Sequence, residues 1–366
     1  MTAQGTPPAQ DAVARLAAHR ERFDALFARW FSQVEERFDV PPLTRFPRRA
    51  LDLLRDQSLR GGKRLRVAVL YEAAGLVTGA HVAGLDEAAV AVELLHTHGL
   101  VHDDIIDGSP TRRGAPSVHA AYRAEFPGKE RTALGLAVLA GDLAAFLSAD
   151  AVLTAPLPDA VRLAMGGVLL RAGAETVAGQ IADLERDFHP LPDEELLDVV
   201  AEFKSARYSV LAPLRLGLLA AGQDPAAHDA TLRRYAVAVG VLGQLRDDWL
   251  DLFGDASATG KPAGSDLREG RRTYAVRALL AAADPAERAV VEAALGDPGC
   301  GPATVARIRG IAARRGVDAA LRAAMLRHAR AASEEAAGWE GTWRADAVAF
   351  FTLLPRAMTP AGPPVD

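Results

Sequence analysis

Apolar residues return at every third or fourth position along most of this chain, and strand-like alternation is scarce. That spacing matches the α-helical period of about 3.6 residues per turn, and the abundance of alanine and leucine favours the same state. The pattern predicts helices over 11–37, 44–57, 63–78, 85–107, 116–125, 131–153, 158–186, 193–222, 227–253, 271–282, 285–295, 302–314, 317–337 and 342–354. Proline and glycine punctuate between them, at Pro156 and Pro158, Pro190 and Pro192, Gly222 to Pro225, and Gly301-Pro302. Asp193 and Asp284 are expected N-caps, because a short carboxylate accepts the unpaired amides of a first turn. Residues 1–10 and 355–366 read as disordered tails. No Gly/Ser-rich linker and no fixed repeat interrupts 11–354, so the expected fold is all-α, a single-domain helical bundle.

Composition narrows the class without choosing a function. A hydrophobic content of 49% with 24% charge suits a globular chain with a sizeable core. The net charge of −5 argues against a general nucleic-acid binder. One cysteine, Cys300, excludes a disulfide framework and fits a reducing cytoplasm. The N-terminus lacks the basic head and apolar run of a signal peptide. Asp142 and Asp150 interrupt the apolar stretch 133–153, which therefore reads as a buried helix and not as a stable membrane insertion.

The candidate chemistry lies in two copies of one acidic pattern, Asp103-Asp104-Ile-Ile-Asp107 and Asp247-Asp248-Trp-Leu-Asp251. Each places carboxylates at i, i+1 and i+4 of an apolar helix, so the first and last share a face. Taken alone, one such set is as readily a solvated acidic face. Here, however, Leu100, Val101, Ile105 and Ile106 surround the first, and Leu245, Trp249, Leu250 and Phe253 surround the second. Carboxylates amid that much apolar surface need neutralising cations, and all-oxygen donor sets suit Mg²⁺. An EF-hand is excluded, because Ile105 stands where that loop requires an oxygen ligand. Basic residues accompany the first set: Arg112-Arg113-Gly114 follows it, and Gly61-Gly62-Lys63-Arg64-Leu65-Arg66 precedes it at a helix start. Such guanidinium and ammonium groups bind phosphate oxygens. The combination suggests a metal-bridged diphosphate site facing a second anion pocket.

At this point the chain resembles a known family. The stretch from Glu93 to His119 is similar to the first aspartate-rich region of the trans-isoprenyl diphosphate synthases, the polyprenyl synthetase family. Gly243 to Asp255, with Gly260-Lys261-Pro262 and Asp266 to Gly270, resembles the second. The segment 61–66, Gly141-Asp142, Gly179-Gln180 with Asp183, and Lys204-Ser205-Ala206 match further landmarks in order. The resemblance implies a helical bundle of the isoprenoid synthase type around a central cavity. It implies two or three Mg²⁺ ions held by Asp103, Asp104, Asp107, Asp247, Asp248 and Asp251, directly or through water. Arg112, Lys204 and Lys261 would then bind the allylic diphosphate, and Lys63, Arg66, His96 and Arg113 the diphosphate of isopentenyl diphosphate. Gln244 would lie beside the reacting end. The family also implies a homodimer.

The implied reaction condenses isopentenyl diphosphate with an allylic diphosphate to an all-trans prenyl diphosphate. Gly254 to Asp266 reads as a mobile lid carrying Lys261. His96, Gly99, Asp103 and Asp107 form one helical stripe, as do Gly240, Gly243, Asp247 and Asp251, and their small residues are expected to leave room for substrate. In this family a bulky aromatic four or five positions before the first Asp stops elongation early; here those positions are Gly99 and His98. A twenty-carbon product is therefore favoured, with farnesyl or longer products as alternatives. A class I terpene cyclase is a weaker alternative, because it would leave Lys63, Arg66, His96 and Arg113 with nothing to bind. Asp142, Gln180 and Asp183 are expected to make buried hydrogen bonds, and His102 reads as a core or rim histidine.

Overall fold

The computed structural model describes the chain apart from residues 1–7, 42, 190, 255–262 and 361–366. In chain order its helices are α1 (Pro8–Arg37), α2 (Phe46–Leu59), α3 (Leu65–Val77), α4 (Leu85–Ile106), α5 (Val118–Glu125), α6 (Glu130–Leu153), α7 (Asp159–Arg186), α8 (Glu194–Ala201), α9 (Ala212–Ala220), α10 (Asp229–Phe253), α11 (Ser265–Glu269), α12 (Tyr274–Ala282), α13 (Pro285–Ala294), α14 (Pro302–Arg314), α15 (Val317–Ala337) and α16 (Ala345–Met358). The all-α expectation is met. Among the described residues, the one strand pair is a hairpin of β1 (Thr111–Arg112) and β2 (Ala115–Pro116), which the helical periodicity did not announce. Asp193 and Asp284 cap α8 and α13 as expected, the latter in a reciprocal capping box with Glu287.

The chain forms two compact units, each with its own apolar core. The first comprises Ala14–Gly173 and Ala212–Ala227. Here α1 buries the stripe Phe23, Phe27, Phe31 and Val34, while α4 packs on α6 and α3 on α9. Gly217 permits the last contact, since a Cβ there would stand 2.4 Å from the Leu70 carbonyl. The second unit comprises Met1–Val13, Ala174–Leu211 and His228–Asp366. In it α10 packs against α15 and the segment Glu202–Leu211, around Leu242, Leu279, Ile308 and Met325.

Two departures from the expected helices have a proline at their root. The single helix expected over 193–222 is instead α8, a π-helical turn over Glu202–Leu211, and α9. Pro213 follows at once; it has no N–H for the carbonyl four residues back, and the wider turn accommodates its ring. At the other end, α16 runs through Pro355 to Met358, beyond the predicted stop at 354, and α1 already begins at Pro8. Pro355 cannot donate to the Phe351 carbonyl, and the Tyr235 hydroxyl donates there instead at 3.0 Å. That substitute donor, together with burial of Phe350, Phe351 and Leu354, keeps the helix intact.

Helix α6 is buried on only one side. It turns Ala133, Ala137, Ala140, Gly141 and Ala144 inward and leaves Leu139 63% and Phe146 75% exposed. The expected buried helix is thus buried on one face only: small residues let α6 approach α4 closely, and large apolar ones such as Leu139 and Phe146 face out. It is the one helix among the described residues long and apolar enough to cross a membrane.

Candidate active site

The first acidic set closes α4. Asp103 and Asp107 are half-buried, and the helix ends at Gly108, φ 62°, where the Gly108 amide donates to the Ile105 carbonyl at 3.3 Å and the Ser109 amide to the Asp104 carbonyl at 2.9 Å. Asp104 is fully buried. The chain then reverses through the β1–β2 hairpin, whose central residues Arg113 and Gly114 both have positive φ, 53° and 77°. This is the conformation a two-residue hairpin needs to match strand twist. The reversal returns Arg112 to the helix end. Its Nε donates to Asp104 Oδ1 at 2.9 Å, and its Nη2 reaches Asp104 Oδ1 at 2.5 Å and Asp103 Oδ2 at 3.3 Å. Burial pulls the Arg112 guanidinium down, but the two carboxylates outweigh it and raise its pKa. The buried anion is thereby neutralised before any metal arrives.

A cationic cluster lies in the same unit. Gly61 and Gly62 adopt φ of 83° and 142°, and the Arg113 guanidinium donates to the Gly61 carbonyl. The φ of Gly62 favours glycine, and a Cβ there would meet the movable Arg113 guanidinium at 2.8 Å. Arg64 is not available for a ligand: it is buried with φ of 49° and donates to Asp24, Glu93 and the Ser58 carbonyl at 2.7, 2.8 and 2.7 Å. Lys63 is exposed, Arg66 half-buried. Burial, then Arg66, Arg113 and Arg112 in that order, push the His96 imidazole well below its ordinary pKa. Burial and these positive charges favour the neutral imidazole.

The second acidic set lies near the end of α10. Asp247 is exposed, Asp248 buried and Asp251 half-buried. Gln244, one turn earlier, gives Nε2 to Asp248 Oδ1 at 2.7 Å, and the Tyr274 amide donates to Oδ2 at 2.9 Å. Burial pushes the Asp248 carboxyl up, against the pull of Gln244 and Arg186. Asp251 accepts from the Ser265 and Asp266 amides, at 3.1 Å each, and from the Ser265 hydroxyl. Asp266 is pushed well up, first by burial and then by Asp251 and Asp248. Ser265 and Tyr274 are contacts that the sequence reading missed. The signal was present in Gly264-Ser265-Asp266, a positive-φ glycine of 77° before a helix start.

Lys204 sits on the π-helical turn and donates to buried Asp183 at 2.6 Å; Arg186 and Arg271 bind the same carboxylate at 2.8 and 3.2 Å. Gly179 and Gly240 let neighbouring helices approach this turn, since a Cβ on either would stand 2.2 Å from the Lys204 amide or 2.3 Å from the Ala206 Cβ. The expected room at Gly240 is therefore filled by Ala206. Gly99, by contrast, has nothing within 4 Å of where a Cβ would be. Asp183 makes the buried bonds expected of it, whereas the buried Gln180 Nε2 has no partner among the described residues. Lys261 and most of the loop read as a lid lie outside the described residues.

The donor chemistry fits a hard divalent ion. Asp103, Asp107 and Asp247 offer carboxylate oxygens at half-buried or exposed positions, while Asp104, Asp248 and Asp251 are oriented by protein donors. The polyprenyl synthetase family model matches residues 49–310. The chain belongs to the polyprenyl synthetase family, the trans-prenyltransferases. It is similar to a short chain isoprenyl diphosphate synthase of Methanocaldococcus jannaschii, 34% identical over 59% of this chain and 62% of that protein. It also resembles the farnesyl diphosphate synthase of Escherichia coli, 32% identical over 66% of this chain and 79% of that one. Among solved structures, a geranylgeranyl pyrophosphate synthase from Corynebacterium glutamicum, complexed with isoprenyl diphosphate and magnesium, superimposes with a TM-score of 0.84. It is 28% identical and covers 93% of this chain and 98% of its own.

Proposed function

We propose that this polyprenyl synthetase family member is a Mg²⁺-dependent geranylgeranyl diphosphate synthase that condenses isopentenyl diphosphate with an allylic diphosphate. The supporting observation is that one unit joins an acidic helix end to a cluster of cations: Asp103, Asp104 and Arg112 adjoin, and the charges of Arg66, Arg113 and Arg112 push the His96 pKa down. Asp103, Asp107 and Asp247 are assigned to Mg²⁺, with Asp251 acting through water. Asp104 and Asp248 hold the helix ends in shape. When bound, Mg²⁺ supplies the charge that stabilises departing pyrophosphate. Arg112, Lys204 and Lys261 bind the allylic diphosphate, so its C–O bond ionises with the negative charge leaving on pyrophosphate. Lys63, Arg66, His96 and Arg113 hold isopentenyl diphosphate, with His96 donating one neutral N–H. The terminal alkene carbon attacks the allylic cation, a C–C bond forms, and the proton leaves to pyrophosphate. Gln244 borders the reacting end. Ionisation to a cation requires that water be kept from the reacting carbon.

Product length rests on Gly99, which has open space beside it, and on His98, which is tied to the Gly141 carbonyl at 3.1 Å. Neither forms an early aromatic stop, which supports twenty carbons. The outward face of α6, with Leu139 and Phe146 exposed, supports a homodimer. The test incubates the purified chain with Mg²⁺, isopentenyl diphosphate and dimethylallyl, geranyl or farnesyl diphosphate separately, then sizes the products. Geranylgeranyl diphosphate from farnesyl diphosphate is expected. No elongation with any allylic partner, or hydrocarbon release without isopentenyl diphosphate, would defeat the proposal.

A further inference from the structure

Three side chains on facing helices of the first unit converge, and the prenyl-transfer reading uses only the bulk of one of them, His98. His98 and His102 stand one turn apart on α4, their ring centroids 4.5 Å apart. Asp142 projects from α6, its Oδ1 3.6 Å from His102 Nε2. One ligand atom from each of the three lies within 4.8 Å of the other two. Gly141 makes the approach possible, because a Cβ there would stand 2.3 Å from His102 Nε2.

Both rings are oriented by backbone. His98 Nδ1 donates to the Gly141 carbonyl at 3.1 Å, and His102 Nε2 to the Val138 carbonyl at 3.1 Å. A carbonyl only accepts, so a proton on His98 Nδ1 leaves Nε2 its lone pair, whereas His102 Nε2, the nitrogen nearest Asp142, exchanges its proton and the Val138 carbonyl for the ion. Metal-binding imidazoles are held, as His98 is, by outer-shell carbonyls. The His102 and Asp142 side chains are 29% and 44% exposed, so an ion has an entry path.

We infer that His98, His102 and Asp142 form a site for one divalent transition ion of the zinc or cobalt class, separate from the aspartate-rich sets. Two imidazoles and one carboxylate with an open fourth position make a zinc-type donor set, whereas Mg²⁺ prefers oxygen alone. Bonds of about 2.0–2.2 Å to a tetrahedral ion bring donors to about 3.4 Å from one another. Side-chain torsions supply that contraction. The sequence held a signal for this site that went unread: His98 and His102 at i and i+4, with Asp142 after a glycine.

The full chain, stripped with chelator and dialysed into excess Mg²⁺, is titrated with Co²⁺ without substrate. Visible bands of low-coordinate Co²⁺ should saturate at one equivalent and be displaced by Zn²⁺. His98→Gln and Asp142→Asn should each weaken Co²⁺ binding by at least about tenfold, the smaller cost of disturbing even an outer-shell group. Asp103→Ala and Asp247→Ala should keep the bands. On the unmodified protein, Zn²⁺ should protect His98 and His102 from acylation by diethylpyrocarbonate, read by mass spectrometry. Absent bands, bands indifferent to both site variants, or unprotected histidines would overturn the site. Because no substrate is present, the outcome does not depend on prenyl transfer.

Discussion

Asp104 and Asp248 occupy the same register of the same acidic pattern and are both buried, yet the molecule neutralises them differently. At Asp104 a full charge does it: Arg112, returned by a hairpin, bridges Asp104 and Asp103. At Asp248 the hydrogen-bond donors are neutral, a side-chain amide from Gln244 and the Tyr274 N–H, with the Arg186 charge adding to their pull. A guanidinium offsets a buried carboxylate by Coulomb attraction, whereas dipoles leave the group more costly to ionise, which is why burial still pushes Asp248 up. A repeated motif is therefore not a repeated environment. In each set the middle carboxylate is the buried one, and the outer ones lie at half-buried or exposed positions.

The largest effect should come from cutting the charged clamp. Arg112→Ala leaves Asp104 buried without its cation and should cost about 3–5 kcal/mol of stability, measured by denaturant unfolding without metal. Gln244→Ala, which removes only one dipole from Asp248, should cost about 1–3 kcal/mol. Equal losses would erase the contrast. Next, Asp103→Ala and Asp247→Ala should each lose at least about 3 kcal/mol of transition-state stabilisation in kcat/KM, with melting little changed. Near-normal turnover in either would remove that residue from the metal site.

The glycines sharpen the comparison at smaller scale. Gly240→Ala drives a Cβ into Ala206 and should destabilise by about 1–3 kcal/mol. Gly99→Ala meets open space on a helix and should stabilise by up to about 1 kcal/mol, both read by thermal unfolding. The smallest effect concerns pH. His96 has a depressed folded pKa, so the unfolded chain binds the extra proton and stability is lost as pH falls below about 6.5. His96→Gln should flatten that loss by up to about 1.4 kcal/mol per pH unit, seen in urea midpoints taken at successive pH values.

Helical periodicity alone was enough for the all-α architecture and for the caps at Asp193 and Asp284, because those depend on neighbours within one turn. The acidic pattern, the basic clusters and the family landmarks were likewise legible as residue types at fixed spacing. Proline effects were only half legible. A proline announces a missing N–H, but whether the helix stops, widens at Glu202–Leu211 or continues past Pro355 depends on a distant partner such as the Tyr235 hydroxyl. Local spacing likewise predicted a stripe of small residues on α10, yet only packing revealed that Gly240 is filled by Ala206.

The linear order of residues thus settled which helices form and which side chains share a face, since both follow from a period of about 3.6 and short-range hydrogen bonding. Tertiary packing decided the rest: which carboxylate of each set is buried, that Arg112 rather than solvent answers Asp104, and that His98 and His102 meet Asp142. Burial and charge balance depend on groups far apart in sequence, and a one-dimensional pattern does not encode their distances.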